Sequence, residues 1–204
     1  MDTKVIRIIF MLSSIALGIA MLVVDSLYYP GWISAAKWGY GLSFLYIFYA
    51  TAAQDKLIQW FWLFALTAGV SELFADKWLV EVTRTLIYPP NEPMWLASPI
   101  YMPFSWLVVL MQLCFIAFLL ANKLKKWQTS IALALLGGAM IPLYEHWAIG
   151  AKWWDYVNTP KFYDVPYYIM VAEAILVLPL PYMMADIDKQ RWYMPVIYGI
   201  GEGL

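Results

Sequence analysis

The stretch PIYMPFSWLVVLMQLCFIAFLLA, residues 99–121, contains no charged side chain. At a rise of about 1.5 Å per residue, a helix of this length crosses the roughly 30 Å hydrocarbon core of a bilayer. The rest of the chain has the same character, since 63% of its 204 residues are hydrophobic and 13% are charged. Soluble domains average about 25% charged residues. The sequence therefore predicts an integral membrane protein and excludes a soluble fold.

Five further apolar runs, each bounded by charge or by proline, extend this pattern along the chain. They predict an all-α, polytopic transmembrane helix bundle formed as a single domain by residues 1–204. The six predicted full spans are 8–24, 38–53, 57–75, 99–121, 129–147 and 166–185. A short seventh segment, 192–204, has roughly 13 residues where a full crossing needs about 20. The first span is expected to remain in the mature protein, because no small-residue cleavage site follows it.

Basic residues predict the orientation, because cytoplasmic loops retain Lys and Arg. The compact Lys123-Leu124-Lys125-Lys126 cluster lies on the same predicted side as the amino terminus. The amino terminus is therefore predicted to be cytoplasmic. The two longest connections, 76–98 and 148–165, then lie outside and are rich in Trp, Tyr and Pro, which suits interfacial segments that cover a site.

Acidic residues within or near the spans are the candidate catalytic groups. An ionised carboxylate in a bilayer costs several kcal/mol or more, so such residues usually face a bundle interior or a cavity. An interfacial position that reaches water explains Glu72 and Glu145 equally well, whereas Glu173 has apolar neighbours on both sides. Asp76 lies one helical turn beyond Glu72 on the same face. The candidates at one end of the bundle are Glu72, Asp76, Glu145, Glu173 and the less embedded Glu202.

Aromatic residues are abundant, with 12 Trp, 15 Tyr and 10 Phe. Interfacial belts account for most of them. Those deeper in the spans suit an aromatic-walled cavity for a polyene or a carbocation, although core packing explains them as well. With His146, the only histidine, they are the candidate substrate-binding residues: Tyr46, Tyr49, Trp60, Trp62 and Trp106.

The composition narrows the chemistry. One His and one Cys cannot build a His-rich metal site, so no metal and no cofactor is predicted, although an all-carboxylate Mg²⁺ or Ca²⁺ site stays open. No phosphate-binding Gly-rich loop or nucleophile elbow is present, and Cys114 within a span suits packing. The expected partners are the lipid bilayer, a hydrophobic isoprenoid or pigment ligand and other membrane proteins, with no nucleic acid.

Two segments carry a family resemblance. In the first, Glu72 precedes YPP at 88–90 and SPIYMP at 98–103. In the second, EHW at 145–147 precedes KWWD at 152–155 and YDVPY at 163–167. This layout, over about half of the chain, resembles the small polytopic membrane proteins of carotenoid biosynthesis, which include carotenoid hydratases and membrane-type lycopene cyclases.

The resemblance implies acid-catalysed isoprenoid chemistry, either hydration or cyclisation. A carboxylic acid kept protonated by apolar surroundings donates a proton to an alkene, and a second carboxylate accepts a proton or orients water. The predicted pair is Glu72 and Glu173, with Glu145 and Asp76 in support.

Two other classes stay open. The Trp-bearing loops suit a non-catalytic membrane subunit that binds a larger complex, a pigment or a lipid. An ion or solute carrier would use the acidic cluster for coupling, but the small size and the absence of internal repeats count against it.

Overall fold

Long apolar runs form the helices of this protein, and short stretches with Pro, Gly or charge separate them. The computed structural model describes residues 3–204. A π-helical turn, Trp78–Thr83, continues directly from the fourth helix, and a 3-10 turn, Ile187–Lys189, follows the eighth. The helices are α1 (Thr3–Tyr28), α2 (Trp32–Ala52), α3 (Lys56–Ser71), α4 (Leu73–Lys77), α5 (Met102–Ala121), α6 (Lys126–Gly150), α7 (Tyr167–Leu176), α8 (Leu180–Met184) and α9 (Met194–Glu202).

Five helical segments within residues 3–204 are long and apolar enough to cross a membrane. They are Thr3–Tyr28, Lys56–Thr83, Met102–Ala121, Lys126–Gly150 and Tyr167–Met184. The predicted second span and the short seventh segment correspond to α2 and α9, which are not among these five. The protein is a multi-pass, all-α membrane protein.

The second predicted span begins too late and the third ends too early. α2 begins at Trp32 and not at residue 38, because Lys37 continues the helix with an exposed side chain. The third span continues past residue 75 through the π turn to Thr83, and Arg84 ends it in the left-handed region at φ 55°. A charged residue near the end of a helix does not interrupt the helix. Both boundaries were therefore misplaced when they were predicted from charged residues alone.

The two long loops, 84–101 and 151–166, lie together at one end of the bundle, called here the loop-bearing end. Strands β1 (Leu86–Ile87) and β4 (Asp155–Tyr156) form an antiparallel pair that joins one loop to the other. Within the loops, β2 (Met94–Trp95) pairs with β3 (Ser98–Pro99), and β5 (Lys161–Phe162) pairs with β6 (Val165–Pro166). Hydrogen bonding between the loops therefore holds them over the helix ends.

The main core lies away from the loops, between α2, α3 and α5. Its largest side chains have no exposed surface and include Tyr46, Phe61, Phe64 and Phe115. Helix α9 packs closely on α3, since a Cβ at Gly199 would lie 2.5 Å from the Phe64 carbonyl oxygen. Such close packing fills the core around α3.

An ion pair fixes α1 against the start of α3. Arg7 donates from Nε and Nη2 to the two carboxylate oxygens of Asp55, at 2.6 and 2.9 Å. Asp55 is also the N-cap of α3 and accepts the backbone N–H of Ile58 at 3.3 Å. A buried carboxylate with these partners is stabilised by the guanidinium and by the helix N-terminus together.

Candidate functional site

A cavity of about 350 Å³ lies beneath the two loops. This volume is at the low end of the range for ligand pockets, roughly 300–1,000 Å³. Helices α1, α2, α5, α6 and α7 form its walls with α4 and the π turn, and the paired strands β1 and β4 contribute Leu86 and Tyr156. The lining is mostly apolar, with a few converging polar side chains, as in sites for hydrophobic small molecules.

The four predicted catalytic carboxylates all line this cavity. Glu72 lies between α3 and α4, Asp76 on α4, Glu145 on α6 and Glu173 on α7. No Lys, Arg or His lines the cavity in the part of the chain that the structure describes. Ionising all four carboxylates would therefore place four like charges in an apolar cavity without a cation, at high energetic cost.

Loop residues orient two of the four carboxylates. Tyr88 Oη and Ser98 Oγ both donate to Asp76 Oδ2, at 2.9 and 3.0 Å. Trp154 Nε1 donates to Glu145 Oε2 at 2.7 Å. The sequence analysis did not identify these donors, because they belong to loops that only the fold brings to the helix ends. Asp76 and Glu145 thus join the helices to the loops above the cavity.

Glu173 differs from Asp76 and Glu145 in its hydrogen bonding. Its side chain is buried, and Oε2 has no hydrogen-bond partner among residues 3–204. It interacts electrostatically with the three other carboxylates of the cavity. Close packing of α7 on α6 holds it in place, since a Cβ at Gly137 would lie 3.3 Å from the Glu173 carbonyl oxygen. A buried carboxyl oxygen aimed into a cavity without a donor is able to exchange a proton with a ligand.

Tryptophan side chains form much of the apolar wall. Trp106 is the one predicted aromatic residue that lines the cavity. The four other tryptophans in the described lining are Trp38, Trp78, Trp153 and Trp154. Indole rings attract cations through their faces, so this wall suits a positively charged reaction intermediate as well as an apolar ligand.

Tyr46 and Tyr49, two of the predicted substrate-binding residues, do not line this cavity. The cavity face of α2 carries Trp38 and Leu42, and Tyr46 lies one turn deeper, within the filled core. Tyr49 is deeper still and stacks on Phe10, with ring centroids 3.8 Å apart. Both residues pack the bundle because the cavity does not extend to their depth.

Trp60 and Trp62 do not line the cavity either. They lie near the start of α3, roughly 15–18 Å along the helix from Glu72 at 1.5 Å per residue. Trp62 Nε1 donates to the Ser43 carbonyl oxygen at 3.0 Å, and the Lys56 ammonium lies 5.7 Å from the Trp60 ring centroid. The Trp62 indole therefore packs against the middle of α2, and the Trp60 indole lies near the end of the bundle where α3 begins.

His146 lies outside the cavity although it adjoins Glu145. Successive residues of a helix are about 100° apart, so Glu145 faces the cavity and His146 faces away. The His146 Nδ1 atom lies 2.8 Å from Asp164 Oδ2, and the imidazole is 40% exposed. His146, a predicted substrate-binding residue, therefore does not line this cavity.

A neutral polar pair lies deeper in the cavity. Tyr144 Oη donates to Gln112 Oε1 at 3.0 Å, and both residues line the cavity. Gln112 is buried within α5. An isolated amide in an otherwise apolar span was the signal in the sequence that would have identified this residue.

Desolvation raises the pKa of two groups in the first loop, Tyr88 and Glu92. Desolvation, and then the charge of Asp76, raises the pKa of Tyr88 well above 10, so its hydroxyl stays a donor at neutral pH. Desolvation raises the pKa of Glu92 to about 7, while a hydrogen bond from Tyr101 Oη at 3.0 Å opposes this rise. In residues 3–204, no group of three His, Cys, Asp or Glu side chains is placed to hold a metal ion.

Comparison with known proteins identifies a family and no closer relative. Neither a curated protein nor a solved structure matches the chain. The family described as Domain of unknown function (DUF6989) matches residues 73–204, which cover Asp76, Glu145, Glu173 and both long loops. Because this match covers more than half of the sequence, the chain belongs to that family.

Proposed function

We propose that this protein is a membrane enzyme that protonates a carbon–carbon double bond of a hydrophobic lipid, in the hydration or cyclisation of an isoprenoid. The observation that carries the proposal is the convergence of Glu72, Asp76, Glu145 and Glu173 on one mostly apolar cavity that no basic side chain lines among the described residues. The resemblance to the carotenoid hydratases and membrane-type lycopene cyclases supports the same chemistry.

Glu173 is the proposed acid. Its buried, unpartnered oxygen favours the neutral carboxyl, which gives its proton to one alkene carbon and forms a C–H bond. The π electrons of the alkene supply that bond, so the positive charge stays on the more substituted carbon. The Glu173 carboxylate that remains balances this positive charge, and the indole rings of the cavity wall stabilise the carbocation further.

Glu72 is the proposed base. In hydration, water bonds to the cationic carbon and gives its extra proton to Glu72, so the lipid gains one water molecule in total. In cyclisation, a second double bond attacks the cation, and Glu72 removes a proton from the carbon next to the new cation, so the product is an isomer. Proton transfer from Glu72 back to Glu173 restores the enzyme. The two residues interact electrostatically in the cavity.

Asp76 and Glu145 are the proposed positioning residues. Their hydrogen bonds with Tyr88, Ser98 and Trp154 hold the loops over the cavity. Covered in this way, the cavity excludes bulk water, which would otherwise capture a carbocation at random.

The test uses protein in lipid vesicles that contain lycopene and, in a parallel sample, geranylgeraniol, prepared in D₂O. A product that carries deuterium on carbon, identified by mass spectrometry, is expected from the wild type. Glu173→Gln and Glu72→Gln are each expected to lower its formation by about 100-fold to 10,000-fold. Glu81→Gln is the matched control, since Glu81 is an exposed glutamate of the π turn. Full turnover in both cavity variants would refute the proposed chemistry.

A second candidate is a non-catalytic subunit that holds a lipid or pigment within a larger complex. The observation that favours it is the exposed aromatic surface of the second loop, where Phe162 and Tyr163 are 53% and 77% exposed. Purification in mild detergent, followed by mass spectrometry of what stays bound, separates the two candidates. Stoichiometric partner proteins without any deuterated product would favour the subunit.

The proposed topology has six full spans and a cytoplasmic amino terminus. Added to the five membrane-crossing segments, α2 brings the number of full spans to six, since its 21 residues extend about 30 Å. α9 is the partial seventh segment. Cysteines introduced at Lys125 and at Asn158 test this arrangement with a membrane-impermeant maleimide, because the native Cys114 is buried. Labelling of Asn158→Cys alone on intact cells is the expected result, and labelling of Lys125→Cys alone would reverse the orientation.

A further inference from the structure

The exposed residues of the cavity lining are confined to α7 and to the continuous segment formed by α4 and the π turn. Among the described lining residues, those with exposed surface are Ala75 on α4, Trp78 at the start of the π turn, and Tyr168 and Ala172 on α7. The remaining lining residues are buried or half-buried. A residue that both lines a cavity and is exposed marks its mouth. We call the gap between these four residues the lateral opening.

The loop-bearing end of the cavity is closed. Leu86 and Tyr156, which pair across β1 and β4, are 3% and 4% exposed, and Trp153 is 8% exposed. All three line the cavity from the loop side. An aqueous ligand approaching through the loops would have to separate this β pair. The route that is already open leads sideways.

Exposed apolar side chains lie on both sides of the lateral opening, and on the π-turn side the Lys77–Glu81 pair is exposed as well. Phe74 and Val82 flank it on one side and are 57% and 64% exposed. Val171 and Ile175 flank it on α7, and each is 59% exposed. In a multi-pass membrane protein, such a surface on the membrane-crossing helices faces lipid. The opening therefore faces the hydrocarbon of the membrane half at the loop-bearing end.

We propose that the ligand of this cavity is a long-chain membrane lipid that enters through the lateral opening with one end first. A cavity of about 350 Å³ accommodates one end of such a molecule, while the remaining chain stays in the bilayer. Where this ligand is called a substrate, the inference rests on the proposed function. The route itself depends only on the shape of the cavity and the membrane setting.

One hydrogen bond spans the lateral opening. Tyr168 Oη, on α7, lies 2.8 Å from Thr85 Oγ1, which follows the π turn. A lipid chain that passes between α7 and the π turn separates these two side chains. Because the chain of the bound lipid still occupies the opening, the Tyr168–Thr85 bond exists only in the ligand-free protein, where it slows binding of the lipid and lowers its affinity.

The test follows methyl parinarate, a fluorescent neutral polyene lipid, as it binds the protein in phosphatidylcholine vesicles. Energy transfer from tryptophan to the probe gives the association and dissociation rates. Tyr168→Phe is expected to raise the association rate about fivefold, to leave the dissociation rate unchanged and so to lower Kd about fivefold, the change that removal of one ordinary hydrogen bond gives. Tyr167→Phe, at the exposed neighbouring tyrosine, is the control and is expected to bind as the wild type does.

A second variant blocks the opening. Ala172→Trp is expected to slow association at least tenfold, whereas Leu135→Trp, on the exposed surface of α6 and outside the cavity lining, leaves it unchanged. Wild-type rates in Ala172→Trp, or an absence of probe binding to the wild type, would overturn lateral access. Glu173→Gln separates the two proposals: if it keeps full turnover while Ala172→Trp binds slowly, the chemistry fails and the route stands.

Discussion

Gly137 lets α7 approach α6 closely, and a single methyl group there tests how the bundle positions Glu173. In Gly137→Ala the new Cβ would lie 2.8 and 3.1 Å from the two Cγ atoms of Val177, whose side chain has no exposed surface. Carbon atoms in contact prefer separations of about 3.5–4.0 Å. The methyl group therefore displaces α7 or forces Val177 into a strained rotamer.

Two opposing effects determine how much Gly137→Ala changes the free energy of unfolding. Overpacking of a filled interior costs about 1–3 kcal/mol. Replacement of glycine by alanine within a helix favours folding by up to about 1 kcal/mol. Gly41→Ala isolates the second effect, because a Cβ at Gly41, on α2, would have no neighbouring atom within 4 Å. Gly137→Ala is thus expected to be less stable than Gly41→Ala by about 1–3 kcal/mol.

The free energy of unfolding is measured by SDS titration in mixed micelles, with tryptophan fluorescence as the signal. Val177→Ala removes both Cγ atoms, so the double variant Gly137→Ala/Val177→Ala is expected to recover most of the loss caused by the new methyl group. The double variant is therefore expected to be more stable, by a coupling energy of about 1–3 kcal/mol, than the sum of the two single effects predicts. Equal stability of Gly137→Ala and Gly41→Ala, or purely additive effects in the double variant, would refute the packing argument.

Two further predictions concern charged groups away from the cavity. Arg7→Ala is expected to lower the free energy of unfolding by about 3 kcal/mol, because it leaves the buried Asp55 carboxylate without its cation. Lys77→Ala, which breaks an exposed pair, is expected to cost about 0.5 kcal/mol or less in the same titration, and equal losses would contradict this account. In the folded protein, desolvation raises the pKa of Glu92 to about 7. Between pH 4.5 and 7 the native state therefore binds more protons than the unfolded chain. As pH rises through that window, the wild type is expected to lose on the order of 1 kcal/mol of stability. Glu92→Gln should flatten the dependence of Tm on pH over this window, and identical slopes in the two proteins would count against it.

The acidic residues of the candidate site were predictable from the sequence, and the reason is energetic. A carboxylate among apolar residues, such as Glu173, requires a cavity or a partner, because lipid provides neither. The helical period also placed Glu72 and Asp76 on one face. The sequence could not show whether these residues meet Glu145 in one cavity, since that depends on how α4, α6 and α7 pack.

The aromatic residues were less predictable. Tyr46, Trp60 and Trp106 all lie within apolar helices, and only Trp106 reaches the cavity. Helical periodicity predicts only approximately which face of a helix a residue occupies. The depth of that residue relative to a cavity depends on how the helices pack. His146 illustrates the same limit, because one step along α6 turns it away from the cavity wall that carries Glu145.

The sequence by itself determined the membrane setting, the all-α class and the group of carboxylates near one end of the bundle, because these follow from the cost of placing polar groups in hydrocarbon. Tertiary structure decided the rest. Pairing of β1 with β4 closes the loop-bearing end, and the gap between α7 and the π turn leaves the cavity open sideways. Both features depend on contacts between residues far apart in the chain, which local hydrophobicity and helical period do not encode.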